Sequence, residues 1–208
     1  LQIFLIFCVC GLTVLLSFST VYWSLILTKT PGVAGGSFVR VVDHQSLGMT
    51  LGESIENTLR FGNIGFDEVI RVRRMLEVPA ARLAAKHRGE DELESMRGFV
   101  GRQKDTTVDD PEVPSLDMNL HMTIAEASGN RVLASFVNAL HRVIRPVLYV
   151  DISPEVGRDT VGQHLAIVRA IANLEPEEAA SAMEEHLDYL DRLRSVREAA
   201  DSDGRRPA

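Results

Sequence analysis

From Leu51 to about Arg197, apolar residues recur every three or four positions and the strand signal is gone. Leu116, Leu120, Ile124 and Ala127 show the pattern in one short stretch. Such spacing puts apolar side chains on one face of a helix, and a chain with many such faces must pair them against one another. The periodicity therefore predicts an all-α fold, an antiparallel bundle of six to seven helices.

The breaks give the order. A short helix over about 50–61 leads into the turn "FGNIG". Asp67 opens the long "DEVIRVRRMLEVPAARLAAKH", with acids in its first turn and a kink expected at Pro79. "EDELESMRGFVGRQ" is the next helix and "TTVDDPEVP" a loop. A further helix runs from Ser115, as N-cap, to Ser128, with Gly129 at C′ and Asn130 capping "RVLASFVNALHRVIRPVLYV". "ISPEVGRD" reads as loop before "TVGQHLAIVRAIANL". Pro176 at N1 opens the last helix, and residues 201–208 form a disordered tail.

The N-terminal part differs. Residues 1–28 carry no charge and exceed the ~20 residues that cross a bilayer. They lack an initiator Met and a basic leader region, so a signal peptide is not expected. At residues 25–43, the β-prone runs "LILTKT" and "SFVRVV" flank "PGVAGG" and predict a β-hairpin. The expected organisation is an atypical, non-native hydrophobic segment at 1–24, a hairpin at 25–43, a helical domain at 44–200 and the tail. No membrane partner is expected. A net charge of −7 disfavours a nucleic-acid-binding surface over the whole chain. Cys8 and Cys10 make neither a disulfide framework nor a zinc finger, which fits a cytoplasmic location.

Asp117 and His121 stand four apart, ~40° around the helix, beside the apolar stripe. Alone they are most simply a satisfied buried pair. His164 in "GQHLAIVRAI" and His186 in "MEEHLDYL" also border apolar faces. Three imidazoles on the inward border of three helices, one with a carboxylate, are costly unless shared, and one divalent cation would satisfy all four. Zinc is the first choice, with nickel, manganese or iron as alternatives. His44, His87 and His141 read as surface or boundary residues.

Four blocks, "RRMLEVPAARLAA", "DMNLHMTIAEASGN", "HLAIVRAI" and "AMEEHL", resemble in order and spacing the C-terminal FCD effector-binding domain of the FadR subgroup of GntR-type bacterial transcription regulators. The resemblance covers about Leu51 to Arg197. It implies metal ligation by Asp117, His121, His164 and His186, and a small carboxylate effector held by Arg73 and, more weakly, Asn130. Leu120 departs from the aromatic usual before the histidine. "TKTPGVAGGSFVRVV" looks like the wing of that family's winged helix-turn-helix, without the helices that would read a DNA operator. The resemblance thus implies an effector-sensing regulator, homodimeric when intact. The alternative is a metal-dependent hydrolase using the His3Asp set, with Glu126 or Glu185 as base.

Overall fold

The computed structural model describes residues 27–29, 37–39, 44–64, 66–148 and 153–202. The 1–24 segment and tail residues 203–208 lie outside them. The chain divides into two units, residues 1–43 and 44–208. In the first, β1 (Leu27–Lys29) pairs antiparallel with β2 (Ser37–Val39), Thr28 opposite Phe38. Each of the β-prone runs expected to flank "PGVAGG" thus holds a strand of three residues, and residues 30–36 lie outside the described residues. No helix among the described residues is long and apolar enough to cross a membrane.

The second unit is helical: α1 (His44–Arg60), α2 (Phe66–His87), α3 (Glu90–Asp105), α4 (Val113–Ala127), α5 (Arg131–Leu148), α6 (Pro154–Ala172) and α7 (Pro176–Ser202). Helix α2 is the central member, packing against α4, α5, α6 and α7. The main core joins Ala81, Ala84, Leu93, Met96, Leu120, Ile124, Ile167, Ile171 and Met183, from five helices. A smaller cluster of Val69, Ile70, Leu140 and Ile144 seats α1 and α5 beside α2.

Several boundaries differ from expectation. Helix α1 begins at His44 rather than near 50. Its glycines lower helix propensity, yet they let α1 approach α5 closely: a Cβ at Gly48 would lie 3.0 Å from the Ser135 carbonyl oxygen. Packing outweighs propensity there. Helix α4 starts at Val113 with Pro114 in its first turn, so Ser115 lies inside the helix and does not cap it. Helix α6 starts at Pro154, where a loop is expected; Ser153 Oγ accepts from Val156 N–H at 3.3 Å. Ser-Pro-Glu here is a cap, an N1 proline and a first-turn acid. Helix α2 continues through Pro79 as one element. The carbonyl deprived of a partner, on Met75, belongs to a residue 71% exposed, where water can serve it.

Helix α4 ends as expected at Gly129, with φ +74°. Helix α6 ends in the same left-handed turn on Leu174, φ 60°. There Leu174 N–H reaches Ile171 O at 3.2 Å and Glu175 N–H reaches Ala170 O at 3.0 Å, the paired closure of a Schellman turn.

Candidate metal centre

Helical spacing delivers the polar residues to one point inside the bundle. Arg73 and Glu77 stand one turn apart on α2, and Asp117 and His121 one turn apart on α4. Helices α5, α6 and α7 contribute His141, His164 and His186. All seven are buried: His164 and His186 have no exposure, His121 and Glu77 have 1%, and Asp117 has the most, 6%.

 Asp117 is thus the member of the cluster that reaches furthest toward solvent.

The rings pack tightly. His121 stacks on His141 at 4.8 Å between centroids and on His186 at 5.3 Å, and His164 lies 4.6 Å from His186. Ligating atoms of His121, His164 and His186 all fall within 4.8 Å of one another. Asp117 Oδ1 lies 3.3 Å from His164 Nε2 and 3.9 Å from His121 Nε2. The residues nominated from sequence as a metal quartet therefore meet at one place.

The outer nitrogens are tethered. His164 Nδ1 is 2.9 Å from Gln103 Oε1, and His186 Nδ1 is 2.9 Å from Gln163 Oε1. An amide oxygen only accepts, so each Nδ1 carries the proton and each Nε2 presents a bare lone pair. Both Nε2 atoms are buried without a hydrogen-bond partner. Buried nitrogens of this kind are costly when unsatisfied, and a second partner that fixes the tautomer is the usual company of a metal-binding imidazole. The donor set fits a divalent cation.

A second polar group adjoins the first through His121. Glu77 Oε2 lies 2.5 Å from His121 Nδ1, off the line of a good hydrogen bond, and Glu77 Oε1 lies 3.0 Å from His141 Nε2. Arg73 Nε donates to Glu77 Oε1 at 2.5 Å, and its Nη2 is 3.3 Å from His121 Nε2. Burial pushes Glu77 upward, but Arg73, His121 and His141 outweigh it and hold its carboxyl well below the usual range. Burial likewise opposes ionisation of Asp117, and His121, His164 and Arg73 reverse the balance and lower it. Burial lowers His164 to about 3 and His186 well below the ordinary imidazole value. Both stay neutral and able to ligate at pH 7.

The structure departs from the sequence reading at His141 and adds three partners to the group, while the cap expected at Asn130 is present. His141 is no surface or boundary residue: it is 4% exposed and joined to Glu77. Its position on α5, beside Leu140 and Ile144, carried the signal. Glu77, Gln103 and Gln163 were not nominated; only the i, i+4 spacing of Arg73 and Glu77 hinted at one of them. Asn130 is exposed, and its Oδ1 accepts from Val132 and Leu133 N–H at 3.1 and 3.2 Å, as an N-cap. It stands apart from the contacts of the buried group, whereas Arg73 is central to them.

Comparisons with known proteins identify the family of the helical domain. The FCD domain family matches residues 68–189, more than half of the chain. The chain belongs to the FCD domain family. The match runs from the first turn of α2 to the middle of α7 and contains Arg73, Asp117, His121, Asn130, His164 and His186. Among curated proteins, the chain is 28% identical over 123 residues to the HTH-type transcriptional repressor NanR of Cronobacter sakazakii (strain ATCC BAA-894), covering 58% of this chain and 47% of that protein. The chain thus spans about half the length of that relative. Among solved structures, a Streptococcus agalactiae GntR superposes with a TM-score of 0.63 at 25% identity, covering 84% of this chain and 78% of the other. The E. coli protein McbR/YncC shares the fold, with a TM-score of 0.53 at 17% identity over 88% of this chain and 82% of the other. Of these, the Cronobacter protein is described as a transcriptional repressor and the Streptococcus protein as a GntR.

Proposed function

We propose that this FCD domain is the effector-sensing part of a GntR-type transcription regulator, and that it binds a divalent metal through Asp117, His121, His164 and His186. The observation that carries the metal reading is the pair of buried, unpartnered Nε2 atoms on His164 and His186, each with its Nδ1 held by a glutamine. Zinc suits three imidazoles and a carboxylate; nickel, manganese or iron fit the same donors.

Charge argues for the class of effector. Arg73 against Glu77 and Asp117 leaves the buried group at −1, and a divalent cation brings it to +1. A site enclosed in low dielectric with one surplus positive charge favours an anion. A small carboxylate meets that need, taking open positions at the metal and the guanidinium of Arg73. When bound, the metal would supply an electrophilic anchor for that carboxylate. The chain's own residues orient the imidazoles, keep them neutral and exclude water. Differential binding of the effector to two helix arrangements would then bias operator binding by an intact winged helix-turn-helix, in a homodimer. The 25–43 hairpin serves as the wing in this reading. A hydrolase would use the same metal to activate water, but the relatives offer that reading no support.

The test uses the full chain prepared without chelator or histidine tag, with bound metal counted by elemental analysis beside His164→Ala. Near-stoichiometric metal in the parent that disappears in the variant supports the site. Absence of metal in the parent after dialysis against zinc and then nickel overturns it and leaves the residues as a core hydrogen-bond network.

A further inference from the structure

Asp117 has a second face. It lines a cavity of about 620 Å³ bounded by the end of α3, residues 106–109, and the first turns of α4 and α6. Val108, Val113, Val161 and Leu165 give the cavity a largely apolar wall, with Thr106, Thr107, Thr160 and the exposed Asp109 among its polar lining. Leu165 is 45% exposed, an apolar side chain left without cover. Lys104 and Arg158 also line the cavity, but both are exposed, so their charges remain hydrated and demand no buried counter-ion.

Two glycines of α6 shape this space. A Cβ on Gly157 would come within 2.8 Å of Val108 Cγ2, so Gly157 permits the wall to close. Gly162 is different. A Cβ there would meet nothing within 4 Å, and the residue faces the cavity. A mid-helix glycine is less stable than alanine, and no close neighbour requires this one. Its effect is to leave the wall flat and the space open.

The cavity volume lies within the range of sites that enclose most of a small organic ligand, and far exceeds the needs of an acetate. Asp117, the most exposed member of the buried group, also lines this cavity, so one side chain belongs to both. Without a cation, the ionised Asp117 at the inner end repels a carboxylate; with one, it does not.

We infer that this cavity holds the body of the effector, and that the effector is a carboxylic acid with an uncharged, apolar body rather than a compact hydroxy acid or polycarboxylate. The inference rests on the metal and carboxylate reading above. It adds a specificity surface, with Gly162 as the residue that keeps it open.

The experiment is calorimetric titration of the zinc-loaded full chain with acetate, butyrate, hexanoate and octanoate, and with tartrate and citrate as compact polar acids. Affinity is expected to rise about four-fold per added methylene, from ~0.8 kcal/mol per buried CH₂, until the cavity is full. Gly162→Leu should abolish that rise and Gly162→Ala should retain most of it, with bound zinc per chain counted in each variant. Metal and acetate binding with no dependence on chain length overturns the cavity inference and leaves the metal reading standing. Tighter binding of tartrate or citrate than of hexanoate overturns it as well. A chain that binds no zinc and no alkanoate brings down both readings.

Discussion

Gln103 on α3 and His164 on α6, 61 residues apart, meet inside the bundle with Nδ1 and Oε1 2.9 Å apart, and this contact decides which ring nitrogen of His164 faces the centre. Removing it frees the ring to flip or change tautomer. Gln103→Leu should lower zinc affinity about 10- to 100-fold while the helical signal in circular dichroism is kept. Competition against a chromogenic chelator measures the change; an unchanged affinity would mean that the glutamine does not orient the ligand.

Glu77 neutralises Arg73 where neither side chain is more than 2% exposed. Glu77→Gln removes the carboxylate that pairs with the buried guanidinium and should destabilise the chain by about 3–5 kcal/mol. The exposed Glu126→Gln is the control, expected within about 0.5 kcal/mol of the parent. Urea midpoints for the two variants give the comparison, and equal midpoints would contradict the buried pair.

The metal-free protein should lose stability as pH falls from 7 to 5. Unfolded His164 takes up a proton near 6.5, whereas burial in the fold lowers its value to about 3. Between these values the unfolded chain binds more protons, so acid favours unfolding, and nothing further is gained above pH 6.5. His164 alone contributes on the order of 2 kcal/mol over that interval. His141 and His186, lowered chiefly by burial, act in the same direction. Glu77 and Asp117 are also lowered, so their contribution is complete above the ordinary carboxylate range and is lost at more acid pH. Urea melts at pH 7, 6 and 5 measure the slope, and a flat profile would show that the imidazoles protonate freely in the fold.

Asn130→Ala should cost about 1 kcal/mol through loss of the α5 cap and leave zinc affinity and acetate affinity unchanged. A selective loss of acetate binding, without the loss of stability, would instead assign Asn130 to the effector.

Leu174→Gly should stabilise the chain by about 1 kcal/mol. The Schellman closure of α6 holds residue 174 at φ 60°, a conformation that glycine adopts without the Cβ penalty, and Leu174 is 58% exposed, so little packing is lost. Thermal melts of the pair decide it; a lower Tm would show that the exposed leucine packs more than its solvent exposure suggests.

The sequence by itself determined the helical class, the hairpin and the inward placement of Asp117, His121, His164 and His186, because helical period and apolar stripes are local properties of the chain. Local signals also located the Gly129 turn and the opening of α7 at Pro176. They failed where contacts from elsewhere compete with propensity: α1 extends over Gly48 and Gly52 because α5 lies close beside it. The partners of the histidines were decided by tertiary structure alone. Gln103 and Gln163 are ordinary polar residues on helices, and nothing in their neighbours along the chain says that an imidazole from another helix will fill their hydrogen-bonding position. For His141 the neighbours Leu140 and Ile144 mark the inward side of α5, but its partner, Glu77 of α2, is supplied by the fold. Burying a polar side chain is costly unless a specific acceptor arrives with it, and only packing of the helices brings that acceptor.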